Sequence, residues 1–201
     1  MRQAMLPVEA IEQRAGIMNG VLTLKMNDAA VQTLGVTHGM QGTAPPGGLS
    51  VGLQRRIDRG ITRRGAVLTW ADSVGVAAGA PSFFNDLTAW ECADSSFHIE
   101  DFVPVDVATV DDAPLISDSD QRVLLSHGLA FALQFSRLVY ALDPLSPVRC
   151  IIGANETNAT FRFHQVRPGE EWNTPDLDFY RQDKMIVVDV EPDSRSSDED
   201  G

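Results

Sequence analysis

The chain has 201 residues, of which 43% are hydrophobic, 22% charged and 7% aromatic, a globular composition long enough to bury a core without metal or disulfide help. Its 16 basic residues face 28 acidic ones, and the net charge of −12 argues against nucleic acid as the main partner, because phosphate attraction dominates such binding. The same composition argues against repeats, collagen and bulk disorder.

In chain order, residues 8–14 read as a short helix closed by Gly16, residues 21–25 as a strand, and residues 28–34 as a second short helix with Asn27 as its N-cap. Residues 35–48 hold five Gly and two adjacent Pro and form a loop. Ser50 caps a helix running to about Arg59, with Gly60 at its end and Leu49, Leu53 and Ile57 as its buried stripe. A strand over 66–70, a small-residue segment over 74–80 and a helix over 82–92 follow. Residues 97–110 alternate partly and read as one or two strands, and the acidic run 111–120 reads as an exposed loop feeding a helix N-terminus. The helix over 120–142, apolar around most of its circumference and ended by Asp143 and Pro144, is expected to be buried and central.

Three strands are expected after it, over 148–152, 160–166 and 185–190, the first two joined through residues 153–159 as a hairpin-like connection. The expected fold class is α+β: an antiparallel C-terminal sheet packed on the long helix, its polar face outward, with a more irregular N-terminal part. The chain then divides into an N-terminal segment 1–48, an α+β core 49–192 that can be continuous with it, and an acidic tail 193–201 too polar to pack.

Cys92 and Cys150 lie far apart, with neither a CxxC nor a His at ligand spacing, which excludes the common zinc signatures and a disulfide framework. No metal or cofactor is expected, and a reducing cytosol suits the thiols. Glu9 interrupts the N-terminus before an apolar run can form, and the longest apolar stretch, at 129–133, is far too short to span a bilayer, so a cytoplasmic protein with no membrane partner is expected. The sequons at Asn155 and Asn158 then read as turn residues.

Five arginines, Arg55, Arg56, Arg59, Arg63 and Arg64, fall within ten residues of an acidic protein. If the helix ran on through Arg63, four of them (Arg55, Arg56, Arg59 and Arg63) would share one cationic face, either an anion site or a solvated surface paired with the excess acids. Gly60 is placed to break that stripe. His98, Glu100 and Asp101 could ligate a metal but lack a third ligand at motif spacing, and Cys92 with His98 lacks an activating motif. The P-loop, GxGxxG, GxSxG and HExxH patterns are absent, which shifts weight from enzyme to binding protein. His127 reads as a satisfied buried histidine, and Cys150 as a small core residue.

The C-terminal polar face carries more. Glu156, Arg162, His164, Gln165 and Arg167 lie on or beside the second strand, and Trp172, Phe179 and Tyr180 follow among Glu170, Glu171, Asp176 and Asp178. Aromatics interleaved with acids have the content of a protein interface, or of a long loop folded back on the core. The run VRCIIGANETNATFRFHQVRPGEEW, with DLDFY and MIVVDVEP after it, resembles the C-terminal part of small bacterial proteins from polymorphic-toxin neighbourhoods, immunity proteins among them; the resemblance covers residues 147–190. It implies a non-enzymatic partner-binding protein that neutralises a toxin domain by occluding its active site. Trp172, Asp176, Asp178, Phe179 and Tyr180 are the candidate partner-binding residues, and the expected partner is a basic toxin domain. The alternative is an enzyme or ligand-binding protein that holds an anionic small molecule on Arg55, Arg56, Arg59 and Arg63.

Overall fold

Helices begin where the sequence supplies polar caps. The computed structural model describes residues 13–17, 20–36, 40, 42–74 and 79–192. α1 (Asp28–Leu34) starts at Asn27, whose Oδ1 accepts from the Ala30 amide at 3.0 Å, and ends at Gly35, where a φ of 71° turns the amide back to Val31 and Gln32. α2 (Val51–Arg59) runs from Ser50 to Gly60. α3 (Leu87–Ser95) is capped by Asp86, whose Oδ1 takes the Ala89 amide at 2.6 Å, so it starts later than the helix expected over 82–92. α4 (Asp118–Tyr140) is capped by Ser117, and Asp118 and Asp120 complement the dipole in its first turn.

Ten strands accompany these helices among the described residues: β1 (Gln13–Ile17), β2 (Gly20–Met26), β3 (Ile61–Arg64), β4 (Val67–Trp70), β5 (Phe97–His98), β6 (Val107–Val110), β7 (Ala113–Ile116), β8 (Val148–Ala154), β9 (Ala159–Gln165) and β10 (Lys184–Pro192). Six form one antiparallel sheet in the order β1-β2-β10-β8-β9-β5, and β3-β4 and β6-β7 are separate hairpins. The fold is α+β with the long helix against the sheet, as the sequence predicts.

Period-2 alternation assigns each strand's two faces. Leu22 and Leu24 of β2, Cys150 and Ile152 of β8, Phe161 and Phe163 of β9 and Ile186 and Val188 of β10 all join the core shared with α4. Trp70 lies at its centre, 5.1 Å from Phe163 and 5.6 Å from Phe135 in edge-on geometry, with its indole N–H donating to the Ser95 carbonyl. Gly128 lets α4 approach the sheet closely, since a Cβ there would stand 2.8 Å from the Ile152 side chain.

Several expectations change. Residues 13–17 are a strand, where a helix was expected to reach residue 14. The acidic run after Val110 is not a plain loop: Asp111 and Asp112, with φ of 50° and 61°, make the two-residue turn of the β6-β7 hairpin. α4 is not buried all round, because Val123 and Leu133 are exposed on its outer side. It is long and apolar enough to cross a membrane by composition alone, but most of its apolar stretch is buried inside the protein, as in a core helix. His127 is buried but its Nδ1 has no hydrogen-bond partner among the described residues. The expected helix over 8–12, part of the small-residue segment (75–78) and the tail 193–201 lie outside the described residues.

The far side of β9 is closed without a full-length strand. Its outward amides go in turn to the Glu100 carboxylate (from Ala159, 3.0 Å), to β5 (Phe161 opposite Phe97), to Ser95 Oγ (from Phe163, 2.9 Å) and to the Glu91 carboxylate (from Gln165, 2.7 Å). Side chains of α3 and of the 3-10 turn at Ile99–Asp101 thus stand in for strand partners.

Candidate functional site

The opposite face of the sheet is neither bare nor uniformly polar. Ile151, Met185 and Val187 make a small apolar patch there, and Leu177 and Tyr180, from the segment between β9 and β10, cover it. Around the patch stand cations and acids in pairs. Arg149 of β8 grips Asp189 of β10 directly across the ladder, through bonds of 2.6 and 3.0 Å. That carboxylate holds the Arg149 guanidinium above its usual value, ahead of the opposing effect of burial. Arg167, just after β9, holds the fully buried Glu91 at 2.6 and 2.9 Å, and Glu91 also accepts the amides of Leu68 and Gln165. His164, expected on the outward polar face, is 1% exposed, and burial lowers its affinity for a proton.

The segment carrying the aromatic and acidic candidates is tied down at many points. Asp178 Oδ1 accepts the Asp28 amide at the start of α1, and Asn27 Nδ2 donates to the Asp183 carbonyl at 2.7 Å. Asp176 caps the 3-10 turn at Leu177–Phe179, Tyr180 Oη accepts the Thr174 amide, and Glu170 accepts the Thr88 amide. Held this way, the segment presents Phe179 at 73% exposure and Trp172 at 41%, while Tyr180 is turned partly inward. Tyr180 thus folds back on the sheet, whereas Trp172 and Phe179 stay exposed. Asp176 and Asp178 remain exposed but also serve the segment's own backbone.

Beside this segment, a cleft of about 230 Å³ is lined by Arg162, Thr160, Trp172, Tyr180, Asp183 and Met185 among others. A larger, more polar cleft of about 620 Å³ lies between the β6-β7 hairpin, the start of α4 and the β8-β9 turn. Asn155, which lines the larger cleft, donates to Asp183, which lines the smaller, at 2.7 Å. Asn155 also organises the β8-β9 turn by accepting from Thr157 and Asn158, the turn role expected of the sequon.

The arginines near α2 do not form one face. The helix ends at Arg59, and Arg63 and Arg64 belong to β3. Arg55 is exposed, Arg59 pairs with Asp72 at 2.8 Å, and Arg63 donates to Ser146 and the Pro144 carbonyl. Arg56 turns inward, its guanidinium 4.7 Å from the Trp70 ring and 5.0 Å from Phe97, where burial lowers its proton affinity. His98 bonds Glu100 at 2.9 Å, and among the described residues no three His, Cys, Asp or Glu side chains are grouped to hold a metal. Burial pushes the Cys92 thiol up to about 12 and Cys150 higher than usual, so neither is poised as a nucleophile.

Residues 49–198, from the start of α2 through β10, match the Uncharacterized protein PM0498 family. The chain belongs to that family. No curated protein and no solved structure matches the chain. The PM0498 span takes in Arg162, Trp172, Phe179 and both clefts, whereas β1, β2 and α1 precede it.

Sequence reasoning found the aromatics and acids of this face but not Glu91. Nothing local marks Glu91, because its partners Leu68, Gln165 and Arg167 are distant in sequence and meet it only through the fold.

Proposed function

We propose that the protein is a non-enzymatic binding protein that neutralises a bacterial toxin domain by covering its active site, with the 170–181 segment as the contact surface. The observation that carries this reading is the pairing of exposure with anchoring. Phe179 is 73% exposed on a backbone held by Asp178, Leu177 and Tyr180, so little conformational freedom is left to lose on binding. Glu171, Asp176 and Asp178 surround the aromatics and match a basic partner, for which complementary fields speed association. The resemblance of residues 147–190 to immunity proteins points the same way. In this reading the protein works in the cytoplasm, its partner is neither nucleic acid nor membrane, and it needs no cofactor.

The test asks first whether a toxin domain is encoded beside this gene, whose absence would count against the reading, and then measures binding to that domain at two salt concentrations. Phe179→Ala and Trp172→Ala should each speed dissociation by about 30-fold, the equivalent of the ~2 kcal/mol typical of an anchor. Glu171→Lys should slow association at low salt and much less at high salt. Asp176 and Asp178 are left intact because the first caps the 3-10 turn that carries Phe179 and the second accepts the Asp28 amide. Unchanged rate constants in all three variants would remove the interface from this face.

A further inference from the structure

Arg149, Arg162 and Arg167 lie on or beside the outer face of β8 and β9, and two of them have a carboxylate: Arg149 has Asp189 and Arg167 has Glu91. The third, Arg162, has none within ion-pair distance among the described residues. Its one hydrogen bond there is from Nη2 to Thr160 Oγ1 at 3.2 Å, and its guanidinium lies 5.3 Å from the centre of the Trp172 ring. Removing a cation from water without a counter-charge is costly, and burial accordingly lowers its proton affinity. The group that acts on it from nearby, the Cys92 thiol, is itself kept neutral by burial and supplies no anion.

Arg162 also lines the cleft of about 230 Å³, whose other walls include the apolar side chains of Ile151 and Met185 and the rings of Trp172 and Tyr180. With one N–H on Thr160, the Arg162 guanidinium has further N–H donors left for a planar, two-oxygen acceptor. Asp183 lines the same cleft and disfavours a second negative charge. We propose that this cleft is a binding site for a monoanionic carboxylate carrying a ring or short apolar body, with Arg162 as the carboxylate receptor and Trp172 and Tyr180 against the body. The cleft shares Trp172 with the surface proposed for the toxin, but carboxylate recognition here rests on Arg162, which that reading does not use, so Arg162→Gln tests the two apart. Its carboxylate could come from a free small acid or from the C-terminus of a polypeptide, and both offer the same chemistry.

Calorimetric titration of the full chain with benzoate, benzamide, phenyl phosphate, and a tripeptide ending in Phe as free acid and as amide tests the proposal. Saturable binding of benzoate is expected, at least tenfold tighter than the neutral benzamide and than the dianionic phenyl phosphate. Saturation by the peptide acid alone, with its amide silent, would support the polypeptide source. Arg162→Gln should weaken carboxylate binding at least tenfold, with Arg162→Lys between it and the parent, each variant checked for an unchanged melting transition. Should Arg162→Gln not fold, Trp172→Ala, at a residue 41% exposed, is expected to weaken binding severalfold. The proposal is overturned if no carboxylate saturates, if benzamide or phenyl phosphate binds as tightly as benzoate, or if affinity is unchanged in the folded Arg162→Gln or Trp172→Ala protein.

Discussion

Toward α4, the sheet buries Phe161 and Phe163 against Phe131, Phe135 and Trp70, and every ring centre lies within 7 Å of another. On its other side, the apolar side chains over Ile151, Met185 and Val187 among the described residues are those of Leu177 and Tyr180, and ion pairs, clefts and exposed rings take the remaining area. The same strands build both faces by alternation, yet one is a dry interior and the other a thin covering that leaves groups available. The contrast teaches where to look for each property: stability resides mainly on the α4 side, and exposed rings and open clefts on the other.

The sharpest way to break this contrast is to cut into the aromatic interior. Phe131→Ala should cost about 3 to 5 kcal/mol in urea unfolding, the range for a large ring removed from a close-packed core. Glu91→Ala should approach that size, about 3 to 5 kcal/mol, because it strands the partly buried Arg167 and frees the Leu68 and Gln165 amides. A loss under 1 kcal/mol in the same titration would show that the β9 edge does not depend on this carboxylate. Leu177→Ala, on the thin covering, should cost about 2 kcal/mol, the low end of the core range, with the segment's amide exchange rising before global unfolding.

Acid should sharpen the comparison differently. Burial lowers the proton affinity of His127 and His164, so the unfolded chain takes up protons that the folded one resists. Their contribution is intact above about pH 6.5, the ordinary histidine value, and is lost as pH falls from there toward the depressed folded values. Melting temperature should therefore drop from pH 7 to pH 5, and His127→Leu should flatten that slope; an equal slope in the variant would locate the effect elsewhere. At the small end, Phe179→Ala should change stability by about 0.5 kcal/mol or less, since its side chain is largely in solvent.

What could be read from sequence was local. Asn27, Ser50, Gly35 and Gly60 announce their helix ends because capping is chemistry between near neighbours. The strands at β8, β9 and β10 show their alternation because one face of each is continuous with the core. The β6-β7 hairpin escaped because Asp111 and Asp112 occupy turn positions that Asn-Gly usually marks, and a run of acids reads as a loop. β2 was legible as a strand, but its place beside β10, which brings the N-terminal segment into the sheet, is a long-range pairing with no local mark. At the site, Trp172 and Phe179 were legible as aromatics among acids. The isolation of Arg162 was not, because it depends on which carboxylates the fold delivers to Arg149 and Arg167 and not to its neighbour.

The row of side chains along the outer edge of β9 has a bearing on how copies of this protein can meet. A sheet propagates into a fibre only when each molecule offers two free edges, one to receive a strand and one to pass the pattern on. Here one end of the strand order is already saturated by Glu100, Ser95, Glu91 and the two residues of β5. At most one edge of the six-stranded sheet is left to receive a strand, so edge-to-edge pairing of that sheet ends at two copies around a twofold axis, and an exposed, sticky face can be carried elsewhere on the molecule without the sheet itself polymerising.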